Sequence, residues 1–301
     1  MARLSLLLLF LLTLPTWAAA GDVPCDCGDS SDGGRLPSWN VGTASLLRLF
    51  PTSDIYPPYA ADPHRPSNAV LVAFFPEVGV PDATDVRTAL RAGGRIGLLR
   101  IQPEIYEGLS WQLSIEAGMD GEYDSYNKLD NVGWDGNYGL TLTMATDGPF
   151  SAKIAALHVS SHVGDEYAER TGRQRIGYTR EELALGLAVG HAPGLRVYVE
   201  GGDAFHMLSA LQKRLRGQAG IEFESKRTLL GGRFGWYLAT DVQTMEERDW
   251  RVDASVHIGL ATRSEGRAWK VGLEAYRGRP PLGEFFQYTE SHVAFGLWID
   301  L

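Results

Sequence analysis

LSWQLSIEAGM, residues 109–119, alternates from end to end. Leu109, Trp111, Leu113, Ile115, Ala117 and Met119 fall on one parity; Ser110, Gln112, Ser114, Glu116 and Gly118 fall on the other. Successive side chains of a strand point to opposite faces, so this segment reads as a strand with one apolar and one polar side. The same pattern recurs at 134–144, where Trp134, Tyr138, Leu140, Leu142 and Met144 oppose Asp135, Asn137, Thr141 and Thr143. It recurs again at 250–260, and further candidates are 69–75, 91–102, 150–163, 181–190, 194–203, 217–225, 232–243, 267–277 and 291–301.

These segments make about twelve strands, an even number, joined by links that alternate between short and long. That is the pattern of periplasmic turns and external loops in a transmembrane β-barrel. The polar parity carries many ionisable groups near mid-strand, among them Glu116, Asp135, Arg196, Glu200, Asp241, Lys270 and Glu274. Glycines fall mostly on that parity too, including Gly118, Gly186 and Gly296. A narrow lumen needs small residues beside long charged ones, whereas one wetted face of a secreted β-sandwich does not. The last strand, SHVAFGLWIDL, resembles the C-terminal signal of outer-membrane barrels, although it ends in Leu301 instead of an aromatic residue. The fold expected is therefore all-β: an antiparallel transmembrane barrel of about twelve strands spanning 69–301, behind an N-terminal leader.

Composition narrows the partners. The 301 residues carry a formal charge of −9, which excludes the basic surface that nucleic-acid binding requires. Residues 1–20 have the charged start, apolar core and Ala18-Ala19-Ala20 cleavage site of a secretory signal peptide. Export to the bacterial outer membrane follows as the expected localisation, with membrane lipids and the barrel-assembly machinery as partners. Residues 21–68 are expected to be a periplasmic leader or plug. Within them ASLLRLF, 44–50, reads as a short amphipathic helix. IYPPYAADPHRP, 55–66, has four prolines and reads as an ordered loop. Cys25 and Cys27, the only two cysteines, receive no function.

The densest polar cluster is HVSSHVGDEY, residues 158–167. Parity within 150–163 puts His158, Ser160 and His162 together, with Ala155, Leu157, Val159 and Val163 on the other face. The aliphatic face is expected to meet lipid, which sends the histidines and Ser160 to the lumen. They join Asp165, Glu166, Arg196 and Glu200 there in an expected interior polar cluster.

Together with YPPYAADP (56–63), LDNVGWDG (129–136) and LRVYVEGG (195–202), this stretch resembles an uncharacterised bacterial family, domain-of-unknown-function family 1207. That resemblance implies an exported barrel and no particular activity. His158-Val159-Ser160 is also similar to the His-x-Ser pair of outer-membrane phospholipase A and the lipid A deacylases, a serine-dependent lipid-ester chemistry. On a strand, His158 can activate Ser160 as a nucleophile, given a third group to orient the imidazole. If Met144 lies opposite Ser151, Asn137 falls opposite His158 and Asp135 opposite Ser160, so either can be that group. In those enzymes the pair faces lipid, whereas the parity here points to the lumen. A satisfied interior network is thus the favoured reading, in a binding, channel-like or structural barrel, with the lipid hydrolase as alternative. No cofactor is expected; calcium beside Asp165 and Glu166 is the one candidate ion. No cysteine-histidine cluster has zinc spacing.

Overall fold

The computed structural model describes residues 38–40, 45–103, 106, 108–264 and 267–300. The expected signal peptide, Cys25 and Cys27 lie outside them. Among the described residues a short hairpin, β1 (Ser38–Asn40) and β2 (Ser45–Leu49), precedes twelve longer strands. These are β3 (Asn68–Glu77), β4 (Val86–Pro103), β5 (Leu109–Asp124), β6 (Asp130–Thr146), β7 (Phe150–Val163) and β8 (Thr179–Gly190). They continue as β9 (Gly194–Met207), β10 (Leu215–Glu224), β11 (Gly235–Met245), β12 (Val252–Ser264), β13 (Arg267–Gly278) and β14 (Glu290–Asp300). Each pairs antiparallel with its neighbour in sequence, and β14 closes on β3 through pairs such as Ala294↔Ala73. The result is a closed twelve-stranded barrel with an extra strand.

Closure removes the sheet edges that a bilayer would leave unpaired. The outer face is apolar: Val70, Val72, Phe74, Leu140, Leu142, Leu183, Leu185, Val197, Val199, Ile221 and Ile258 are all exposed. A continuous apolar belt is unfavourable in water and at home in lipid. The connections are short at one end, as at 147–149 and 191–193, and longer at the other, as at 164–178 and 279–289.

The segment ASLLRLF departs from the expected helix and forms β2. It pairs Ser45–Leu49 with Pro103–Leu99 of β4, while β3 pairs with Arg91–Val86 of the same strand. The first barrel strand is thus cut in two, and residues 50–67 leave through the cut into the lumen. Both sides of the cut are sealed by hydrogen bonds. The Phe50 amide donates to Leu98 O at 3.1 Å. On the other side the Asn68 side chain bonds Gly93 O and Gly93 N, at 2.7 and 3.2 Å, in place of a peptide group.

The proline-rich segment packs as a plug because its aromatics have seats in the wall. Tyr59 stacks on Tyr198 with ring centroids 3.7 Å apart, and its hydroxyl donates to Glu200 at 2.8 Å. Asp62 accepts from Gln218 and Gln243, and Arg65 donates to Asp300. Glycines on the wall make the room: a Cβ at Gly186 would lie 2.9 Å from the hydroxyls of both Tyr56 and Tyr59. Around the plug several buried charges are paired, including Lys153 with Glu200 and Arg216 with both Glu182 and Glu200. Trp298, whose parity is inward, packs with Leu71 and Phe75 in an interior apolar cluster.

At the end with longer loops, residues 280–286 fold inward as a lid. Leu282 and Phe285 join Val80, Val132, Val163 and Tyr167 in a second apolar cluster. Tyr167 belongs to a short helix, α1 (Asp165–Thr171), and donates its hydroxyl to Pro81 O. Burial pushes that phenol up to about 12.

Candidate functional site

The site is fixed by the register of three neighbouring strands. Reading across β6, β7 and β8, the outward rows run Leu142–Ile154–Leu185, Leu140–Ala156–Leu183, Tyr138–His158–Glu181 and Gly136–Ser160–Thr179. A last row pairs Trp134 with His162. The face is apolar for two rows and turns polar at His158. Tyr138 is 57% exposed, whereas Asp135 and Asn137 on the opposite parity of β6 are buried at 6% and 8%. His158, Ser160 and His162 therefore lie on the outside of the wall.

This reverses the expected orientation. Met144 pairs with Ala152 instead of Ser151, so the register is one residue away from that assumed. The inward residues of β7 are Lys153, Ala155, Leu157, Val159, Ser161 and Val163. They are mostly apolar because this part of the lumen holds packed chain: Val163 sits in the lid cluster and Ala155 is 1% exposed. The rule that inward means polar presumes a wet interior. Here Val163 packs into the lid cluster, Lys153 sits over Tyr59 of the plug, Leu157 and Val159 border a cavity, and the aliphatic parity turns inward.

Asp135 and Asn137, suggested as orienting groups for His158, are on the lumen side and are separated from it by the wall. Asp135 instead accepts the Ser161 hydroxyl and the Gly283 amide, the latter at 3.0 Å. Ser161 Oγ accepts the Glu284 amide at 2.9 Å. Glu284 in turn accepts the amides of Ile176 and Gly177 at 2.9 and 2.8 Å. Asp135 thus ties the lid and the β7–β8 loop to the back of the strand that carries Ser160.

The group beside His158 is Glu181. Its Oε1 lies 3.6 Å from His158 Nδ1, longer than a hydrogen bond. The imidazole stacks on Tyr138, centroids 4.4 Å apart and planes 20° off parallel. That stack holds the ring against the wall with Nδ1 toward Glu181, which leaves Nε2 for proton transfer. Ser160 is two residues further along the same face, and its Oγ would meet a Cβ added at Gly136 at 3.5 Å. The Trp134 ring reaches the same spot, 3.3 Å from that Cβ, so the indole flanks the hydroxyl on the β6 side. A histidine, a serine and a carboxylate on one face are the components of an activated nucleophile, and apo hydrogen bonds in such sites are commonly long. Glu181 had a sequence signal: it shares the parity of Leu183, Leu185, Leu187 and Val189, an acid at the end of a lipid-facing stripe.

The remaining expected cluster divides. Arg196 and Glu200 are buried in the lumen, where Arg196 bonds Glu222 at 3.1 Å. His162 is outside, stacked on Trp134 at 4.2 Å. Asp165 and Glu166 open α1 at the rim, both exposed, with Asp165 engaged by Arg175. Among the described residues no group of three or more His, Cys, Asp or Glu side chains is arranged to hold a metal ion. A lumen cavity of about 130 Å³ lies behind β7, lined by Leu157, Val159, Asp120, Asn137 and His64 among others.

The model of a protein family of unknown function, DUF1207, matches residues 43–300. The chain belongs to that family. No curated protein matches this DUF1207 chain by sequence. By structure it is similar to outer membrane phospholipase A from Escherichia coli, with a TM-score of 0.55 at 11% identity. The match covers 83% of the DUF1207 chain and 95% of the phospholipase. The Salmonella typhi phospholipase, a dimer with bound calcium, gives a TM-score of 0.54 at 13% identity over the same shares. These likenesses establish the fold of the DUF1207 chain as that of outer-membrane barrels.

Proposed function

We propose that this protein is a lipid-ester hydrolase of the bacterial outer membrane, with Ser160 as nucleophile, His158 as general base and Glu181 as the group that orients the imidazole and offsets the charge it gains. One observation carries the reading: the three side chains share the outer face in the first two rows beyond the apolar belt, His158 and Glu181 in one and Ser160 in the next. Acyl esters of membrane lipids lie at the boundary between hydrocarbon and headgroup, so a nucleophile two rows beyond the belt meets them near their own depth. The likeness in fold to the two phospholipases agrees with this reading. The interior-network reading rested on a lumen position for His158 and Ser160, which they do not occupy.

The chemistry follows from the placement. Ser160 Oγ attacks the ester carbonyl carbon as its proton passes to His158 Nε2. The carbon–oxygen bond of the ester breaks, and the imidazolium gives its proton to the departing alcohol. Water, deprotonated by the same imidazole, then attacks the acyl-serine and releases the fatty acid. Glu181 offsets the positive charge on the ring during both transfers, and Tyr138 keeps the ring in plane.

The test is fatty-acid release from phospholipid in mixed micelles by the purified barrel, compared with Ser160→Ala. Removing the nucleophile from such a unit costs several orders of magnitude in rate. Equal turnover by the two proteins would remove Ser160 from the chemistry. No release by either would return the protein to the binding or structural class.

A further inference from the structure

We infer that His162 holds the phosphate of a phosphorylated lipid whose acyl ester lies at Ser160, and so selects phospholipids over neutral glycerides. The inference rests on the hydrolase reading of Ser160 and adds a headgroup contact to it.

His162 is two residues beyond Ser160 on the same outward face, a step of about 7 Å along the strand. It is one row further from the apolar belt, on the side where headgroups lie. In a glycerophospholipid the carbonyl carbon of the central ester is joined to phosphorus through four atoms. Those five bonds span roughly 6 Å when extended. An ester at Ser160 therefore brings the phosphate to His162 with no change in the protein.

The ring is also prepared for such a contact. Trp134 stacks beneath it with planes 24° apart, which fixes one face and leaves the edge with its nitrogens outward. His162 is exposed, and among the described residues neither ring nitrogen has a hydrogen-bond partner. The nearest acid in sequence, Asp165, is paired with Arg175. Glu181, the other acid of this face, lies two rows back toward the belt, where the imidazole of His158 faces it. A neutral glyceride offers nothing for His162 to bind.

Two measurements on the full-length barrel separate this inference from the hydrolase reading. The first compares hydrolysis of phosphatidylethanolamine with that of diacylglycerol bearing the same chains. His162→Ala is expected to raise KM for the phospholipid about tenfold, the loss of one charge-assisted hydrogen bond at an exposed site, and to leave kcat and the diacylglycerol kinetics unchanged. His162→Lys, which supplies a cationic donor at the same position, is expected to recover part of the loss. The second measures retention of an ether-linked phospholipid and an ether-linked diglyceride, neither of which can be hydrolysed. The wild-type protein is expected to retain the phospholipid preferentially and His162→Ala to lose that preference. If esters are cleaved but His162→Ala affects both lipids equally, the phosphate contact is wrong and the hydrolase stands. If the ether phospholipid is retained through His162 while no ester is cleaved, the hydrolase is wrong and the lipid site stands. Retention without preference in the wild-type protein overturns the inference.

Discussion

Glu181→Gln is the sharpest probe of the outer-face site, because it removes a charge and almost no volume. The carboxylate stands 3.6 Å from His158 Nδ1. At that distance a unit charge stabilises an imidazolium by about 1 kcal/mol in a water-like medium and about 5 kcal/mol at an effective dielectric constant of 20. The Glu181 side chain is 38% exposed, so screening places the effect in the lower half of that range. A loss of about 1–3 kcal/mol corresponds to a fall in kcat of about fivefold to a little over a hundredfold. KM is expected to hold, since Glu181 acts on the charge that develops during proton transfer. Stability is also expected to hold, because a half-exposed pair contributes at most about 1 kcal/mol. The assay is the initial rate of fatty-acid release at saturating phospholipid, with the heat-induced mobility shift in detergent as a check of folding. In the double variant Ser160→Ala/Glu181→Gln no further loss is expected beyond Ser160→Ala, because members of one catalytic unit do not add. A single variant within twofold of wild type, or an additive loss in the double variant, would refute the role given to Glu181.

Two further predictions concern the lumen. Tyr59→Ala removes the stack on Tyr198, the bond to Glu200 and most of a buried aromatic side chain, and is expected to destabilise the barrel by about 4–6 kcal/mol. Tyr59→Phe keeps the stack and leaves Glu200 with Lys153 and Arg216, so about 1 kcal/mol is expected; guanidinium unfolding in micelles measures both. In planar bilayers the wild-type protein is expected to show no large steady openings, since residues 50–67 fill the bore, and stable ohmic steps would contradict the plug.

Much of the fold was legible because a barrel writes itself in alternation. All twelve barrel strands stand where the period-two segments fall, and the inward glycines of the sequence prove to be seats for the plug. The errors share a cause. ASLLRLF is too short for periodicity to separate helix from strand, and its pairing with β4 decided the matter. For HVSSHV the alternation was correct but its sign was not. Parity says which residues share a face; only a partner says which face is outside. The outward stripes of β6 and β8, Leu140 with Leu142 and Leu183 with Leu185, supply that reference once the register is known. Asp135 and Asn137 do face the lumen, as their parity indicated; what failed was their pairing with His158 and Ser160, which face out.

The packed lumen and the outer-face site belong to one design. A barrel wall is a single strand thick, so Ser160 on the outside is bonded directly to Val159 and Ser161 on the inside. Whatever holds those two residues holds the nucleophile. In a water-filled channel the inward neighbours would be solvated and the wall at Ser160 would have only its ladder hydrogen bonds. Here Ser161 is fixed between Asp135 and the Glu284 amide, while Val159 borders the lumen cavity. Gly283 and Glu284 belong to the lid, so the lid anchors the strand from behind while its outer face stays open to lipid. This explains why a barrel with no evident bore carries so many buried ion pairs. A nucleophile and its base must be held within fractions of an ångström to act together, and a site on the outside of a thin wall has no other rigid body to lean on than the one packed inside.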